Sequence, residues 1–212
     1  MALTTPDEMA KIVRKLRRAD PAFIPVIKNS PLCTIASKKY SRGHYETLIN
    51  SIISQQLAIK AADTIIKRVQ VLAGGAITPE KIVNLTATEL RSAGVSGAKA
   101  RAIAELTDAT MSGRLDFKKF PKMKNEEISE LLTSIWGIGR WTVEMFLIFH
   151  LGRLDIWPVG DLAVRRGWEK LHNLPEQISQ KELDLLGANF SGYQSVVAWY
   201  CWRATDGDSS NW

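Results

Sequence analysis

Apolar residues recur along this chain at spacings of three and four, the period of a helix with one buried face. Met9, Ile12, Val13 and Leu16 form the first such stripe, behind Thr5-Pro6-Asp7-Glu8. That tetrapeptide reads as an N-cap, a proline in the first turn and acids at the positive helix end. The pattern predicts further helices over HYETLINSIIS and over KAADTIIKRVQVLAG, the latter stopping at Gly74-Gly75. Thr78-Pro79-Glu80 and Thr86-Ala87-Thr88-Glu89 each mark a short helix start. LRSAGVSGAKARAIAEL reads as a helix end, a turn with Gly94 and Gly97, and a new helix. SGRLDFKKFPKM reads as a loop broken by Gly113 and Pro121. Asn125-Glu126-Glu127 opens EEISELLTSI; after the WGIGR turn, TVEMFLIFHLG is the next helix. The loop RLDIWPVGD then leads to Asp161, which starts LAVRRGWEKLH. SQKELDLLGANF and YQSVVAWYCWRAT complete the set, and the tail DGDSSNW reads as frayed. No stretch combines strict alternation with hairpin turn signals, so the predicted class is all-α.

Composition narrows this picture. The chain has 212 residues and is 45% hydrophobic, enough for one substantial domain or two small lobes sharing a core. No run reaches membrane-span length, and the N-terminus is too soon charged to be a secretion signal. The two cysteines, Cys33 and Cys201, exclude a disulfide scaffold, a four-cysteine zinc site and a four-cysteine iron–sulfur cluster. A reducing, intracellular compartment is expected. The net charge of +6 and pI of about 9.4 suit a polyanionic partner. The one dense basic run, KIVRKLRR, reads as the solvated face of the first helix.

The chemistry concentrates in IWGIGRWTVEMF. Gly137 and Gly139 permit a tight turn between two helical segments and a close backbone approach. A helix that follows such a turn presents backbone N–H groups and a positive dipole end, a combination that binds phosphate oxygens. Arg140 beside the turn adds charge. The same spacing also suits an αα-corner that needs glycine only for packing.

Several motifs in order carry more information than this turn alone. SIISQQLAIKAA, LRSAGVSGAKARAI, GIGRWT, WPVGDLAVRR and YQSVVAWYCW together resemble the helix-hairpin-helix DNA glycosylases. Within them the chain is most similar to the alkylated-base branch, the 3-methyladenine DNA glycosylase II family, over about residues 40 to 205. The larger members carry an extra N-terminal β-rich domain, so this chain resembles a compact form. The resemblance implies a two-lobed all-α bundle with the active-site cleft between lobes. It implies a central lobe over 50–155 with the hairpin at 132–150, and a second lobe from 1–49 and 156–205.

Residue by residue, the resemblance implies the following. Asp161 matches the catalytic aspartate, whose carboxylate stabilises positive charge on the sugar during glycosidic cleavage. Gly137, Gly139, Arg140 and Thr142 match the hairpin that grips the DNA backbone without reading sequence. Trp141 stands where glycosylases that also cut the backbone have a lysine for Schiff-base chemistry, which implies a monofunctional enzyme. Trp141 and Trp202 match pocket aromatics able to stack on a cationic alkylated purine; Trp199 takes the second role if the register shifts by a turn. Met145 replaces a tyrosine of some relatives. Gln56, or else its neighbour Leu57, matches the side chain wedged into the minor groove when the base is flipped out. The second glycine turn, Gly94-Val95-Ser96-Gly97 followed by Lys99 and Arg101, fits a helical corner near the DNA, with packing its favoured role and Lys99 a candidate phosphate ligand. The carbonyls of Thr133, Ile135 and Ile138 match an alkali-metal site for Na+ or K+. No organic cofactor is implied. The expected partner is damaged double-stranded DNA, met by a monomer with the DNA inside the cell, in the nucleoid or a nucleus.

Two alternatives stay open on sequence. One is a glycosylase for deaminated or oxidised bases, which Trp141 and the lack of a cysteine set disfavour. The other is a non-catalytic helix-hairpin-helix protein that only binds DNA or abasic sites; Asp161 and the pocket tryptophans discriminate against it.

Overall fold

Local capping chemistry sets many of the helix starts. The computed structural model describes residues 3–38 and 42–205. Helix α1 (Pro6–Ala19) opens with a capping box between Thr5 and Glu8, which satisfies otherwise orphaned amides. It buries Met9, Val13 and Leu16, and KIVRKLRR lays its basic side chains on the exposed face. A 3₁₀ turn at Pro21–Phe23 and α2 (Ile24–Asn29) follow; the sequence pattern predicted neither. Then come α3 (His44–Ser54), α4 (Ile59–Leu72), α5 (Pro79–Ile82), α6 (Ala87–Ser92) and α7 (Gly97–Met111). Next are α8 (Asn125–Thr133) and α9 (Arg140–Met145), and finally α10 (Leu162–His172), α11 (Gln180–Gly187) and α12 (Gln194–Thr205). Thr86 with Glu89 and Ser179 with Glu182 form two more capping boxes. The described residues contain no β-strand, as the all-α expectation requires. No helix among them is long and apolar enough to cross a membrane. The tail predicted to fray, 206–212, lies outside the described residues.

Two segments differ from the sequence pattern. The predicted loop SGRLDFKKFPKM contains a 3₁₀ helix at Phe117–Lys122. Phe120 is fully buried there, 5.9 Å from the His44 ring and 6.2 Å from that of Phe146. This aromatic cluster holds an element that Gly113 and Pro121 would otherwise break. The predicted helix over TVEMFLIFHLG is α-helical only to Met145 and widens to a π-helix at Phe146–His150. No glycine or proline marks that change.

The chain forms two compact units, Met1–Lys39 with Leu147–Trp212, and Tyr40–Phe146. These edges differ from the predicted lobe edges at 50 and 155. Helix α3 belongs whole to Tyr40–Phe146, because Leu48, Ile49, Ile52 and Ile53 are fully buried and α3 packs on α4 and α7. Residues 147–155 belong with the other unit, where Ser195 donates its backbone N–H to the Leu154 carbonyl at 2.9 Å. In that unit α10 and α12 form the most extensive helix pair. Gly167 makes it possible: a β-carbon there would overlap the Cys201 carbonyl. Trp168 lies at the heart of the aromatic core, stacked on His172 at 4.1 Å and edge-on to Phe23 and Phe190.

Candidate functional site

In Tyr40–Phe146 the turn between α8 and α9 is a tight hairpin whose two glycines have different reasons. Gly137 sits at φ +86°, and a β-carbon on it would lie 2.5 Å from the Ala102 β-carbon. Backbone conformation and packing against α7 therefore both demand glycine. Gly139 is extended, with φ −89° and ψ 165°, and no atom lies within 4 Å of where its β-carbon would be. Among the described residues nothing requires glycine at 139. As the N-cap of α9, Gly139 offers no side chain to the first turn.

The loop after α3 is tied to this hairpin. The Gln55 side-chain amide donates to the Gly137 carbonyl at 3.2 Å and to the Thr142 hydroxyl at 3.3 Å. The Lys99 ammonium donates to the carbonyls of Ile53 and Gln55 at 2.8 and 2.7 Å. Lys99 thus caps the end of α3 as a cation, and partial burial draws its pKa below the ordinary lysine value. Between these two ties stands Gln56, exposed and left-handed at φ +56°. That conformation is uncommon for a residue with a β-carbon and is held only where the surroundings over-determine it. Leu57 beside it is 39% exposed.

Several polar side chains named from the sequence are committed within this unit. Lys99 spends two of its three N–H donors on carbonyls, in keeping with the packing role favoured for its corner. Thr142 is buried and accepts from Gln55, so its hydroxyl faces inward. Arg140 is exposed but pairs with the buried Glu144 one turn on, at 2.8 Å. On α9, Trp141 and Met145 are one turn apart and share a face; Trp141 is half exposed and Met145 half-buried.

In the other unit, Asp161 is the N-cap of α10 and is buried. Its Oδ1 accepts the Val164 amide at 2.9 Å and the Trp202 indole N–H at 3.1 Å. The loop that delivers it is pinned. The Ser195 hydroxyl bonds both the amide and the carbonyl of Ile156, and the Trp157 indole donates to the Leu183 carbonyl at 2.8 Å. Asp155 in the same loop is exposed. Trp202 is half-buried and leans on Phe149, with ring centroids 5.3 Å apart. Trp199 is 3% exposed and packs edge-on against Tyr200 in the core. Of the two tryptophans, Trp202 is the one beside the carboxylate.

Among the described residues no group of three or more histidine, cysteine or acidic side chains could hold a metal. What the geometry offers is a buried, hydrogen-bonded carboxylate beside an aromatic pair, and a hairpin with an open helix end. The sequence matches the model of the HhH-GPD superfamily base excision DNA repair proteins over residues 49–189. The chain belongs to this superfamily. It is 38% identical over 164 residues to DNA-3-methyladenine glycosylase 1 of Schizosaccharomyces pombe, covering 76% of this chain and 72% of that protein. The fold is similar to that of the DNA-3-methyladenine glycosidase of Bacillus halodurans. There the TM-score is 0.84 at 34% identity, over 98% of this chain and 92% of that one. It is also similar to a Schizosaccharomyces pombe 3-methyladenine DNA glycosylase in complex with abasic DNA. That TM-score is 0.73 at 34% identity, over 87% of this chain and 90% of that one.

The HhH-GPD match contains the hairpin, Gln56 and Asp161, while Trp202 lies beyond it. Three side chains escaped the sequence reading. Gln55 is the structural partner in the Gln55-Gln56 pair; the doubled amide, of which one can reach out, was its signal. Phe149 backs Trp202 from within an unbroken apolar run, which gave none. Trp136 heads the hairpin turn and is 42% exposed; a large aromatic directly before a turn glycine was legible as unusual.

Proposed function

We infer that this HhH-GPD protein is a monofunctional DNA glycosylase. It hydrolyses the N-glycosidic bond of alkylated purines flipped out of damaged double-stranded DNA, such as 3-methyladenine and 7-methylguanine, and leaves an abasic site. The observation that carries the reading is Asp161: a buried carboxylate with one oxygen fixed by the Val164 amide and the Trp202 indole. The names of the relatives, which are 3-methyladenine DNA glycosylases, support the reaction class and an alkylated purine as substrate.

An alkylated purine already carries positive charge, so it departs as a neutral base when the glycosidic bond breaks. The bonding pair leaves with the base and positive charge develops on the sugar. A carboxylate in a dry, fixed setting stabilises that charge without reorganising. Water then adds to the sugar carbon and loses a proton, for which Asp161 is the available base. Trp141, Trp202 and Met145 are assigned to contact with the base, and the indole faces favour a cationic purine. Trp141 has no amine, so no Schiff base forms and the backbone stays intact. Gln56 is assigned as the wedge, with Leu57 beside it. Gly137 and Gly139 are assigned to the DNA backbone, and the open position at Gly139 suits the approach of a phosphate.

The hydrolysis calls for no organic cofactor. The carbonyls of Thr133, Ile135 and Ile138 are candidates to hold Na+ or K+ at the hairpin. The Ile135 carbonyl already accepts the Ile138 amide at 3.1 Å, which leaves its second lone pair for an ion. The protein acts as a monomer, with the DNA inside the cell.

The test is base release from methylated duplex DNA, with freed bases separated by chromatography. Wild type should liberate methylated purines and Asp161→Asn should not, while both bind abasic DNA. Binding without release by wild type would overturn the catalytic reading in favour of a DNA-binding protein.

A further inference from the structure

Arg101 on α7 and Trp136 in the hairpin turn form a pair that neither the fold nor the proposed catalysis uses. The guanidinium carbon lies over the indole ring, 4.2 Å from its centroid. Both side chains are exposed. A cation held by an aromatic face keeps its N–H donors for other partners, and among the described residues no carboxylate pairs with Arg101. Arg140 pairs with Glu144 and Lys99 with two carbonyls. Of these three cations, Arg101 alone keeps its charge uncommitted to a protein acceptor.

The position of the pair is as telling as its chemistry. Trp136 immediately precedes Gly137, and its ring walls a cleft of about 330 Å³ that Gln56, Leu57 and Lys99 also line. The cleft joins the hairpin to the wedge turn, the two features assigned to DNA. The indole holds a long arginine in one orientation, which lowers the entropy lost when the guanidinium binds.

We propose that Arg101 and Trp136 form a phosphate-binding subsite for the DNA strand that follows the hairpin. Arg101 donates to a backbone phosphate and Trp136 is its positioning residue. The proposal rests on the DNA reading above but not on glycosylase chemistry. It reassigns the hairpin's charge from Arg140, the candidate by sequence, to a residue on another helix.

The experiment measures duplex binding across a salt series for wild type, Arg101→Gln, Trp136→Leu and the double variant, with thermal unfolding as the folding control. Arg101→Gln should weaken binding about tenfold and reduce the slope of log K against log salt by about 1. Trp136→Leu should weaken binding in the wild-type background and add little to Arg101→Gln, since it acts through the arginine. An unchanged salt slope in Arg101→Gln would overturn the subsite. A full Trp136→Leu effect in the Arg101→Gln background would overturn the positioning role. If Trp136→Leu unfolds, Arg101→Gln alone decides the phosphate contact. Base release by wild type is run alongside. Release with an unchanged slope sinks the subsite and leaves the glycosylase; a reduced slope without release does the reverse.

Discussion

Helices α9 and α10 both start where the sequence expects contact with the substrate, and they start in opposite ways. Both N-caps are extended, Gly139 at ψ 165° and Asp161 at ψ 121°. Asp161 turns its carboxylate back onto its own helix and accepts the Val164 amide. Gly139 contributes no side chain at all. A helix end that supplies its own anion is electrostatically complete; one without is prepared for an anion from outside. Under the function proposed above the two ends divide the labour: α9 is assigned to a phosphate, and α10 to holding the Asp161 carboxylate for the reacting sugar. The sequence treats both as helix starts, but only the cap side chain tells them apart.

The largest expected effect comes from removing the charge at α10 while keeping the cap. Asp161→Asn keeps an oxygen for Val164 and Trp202, and asparagine caps about as well as aspartate. Single-turnover base release should fall by about 100-fold or more, with the melting temperature little changed. Asp161→Ala should lose activity and also about 1 kcal/mol of stability. Equal unfolding by both variants would instead make Asp161 a structural cap.

Next in size is a swap of character at α9. Gly139→Asp adds a side chain with nothing within 4 Å of its β-carbon, at dihedrals that a cap residue adopts. Stability should rise by about 0.5–1 kcal/mol. If the assignment of this end to a phosphate holds, DNA affinity should fall about tenfold or more, because the new anion occupies it. A more stable protein that binds DNA as well as before would sink the division of labour.

Gly137→Ala sharpens the contrast within the hairpin. At φ +86° and against Ala102, the added methyl should cost about 2–3 kcal/mol, read by denaturant unfolding. The smallest effect concerns the unit that carries Asp161. Burial pushes the Cys33 thiol up to about 12 and the Cys201 thiol well above its ordinary value. Neither should react with a thiol reagent at pH 8 until the protein unfolds, when both should. An unfolded thiol ionises near 9.0 while native Cys33 keeps its proton. This part of the stability is complete below that pH and falls as pH rises toward 12.

The sequence by itself determined what depends on near neighbours along the chain. The cap at Thr5 with Glu8, that at Thr86 with Glu89, and the helix start at Leu162 follow from interactions spanning one turn, so they were legible. Asp161 was legible for the same reason, since its cap partner Val164 is three residues on. Tertiary structure alone decided which polar side chains remain available. Gln55 meets the hairpin across 82 and 87 residues, Lys99 meets the α3 carbonyls across 46 and 44, and Trp202 meets Asp161 across 41. Those distances in sequence carry no periodic signal. A charge reads the same in a sequence whether packing later spends it, as with Lys99, or leaves it exposed on an aromatic ring, as with Arg101.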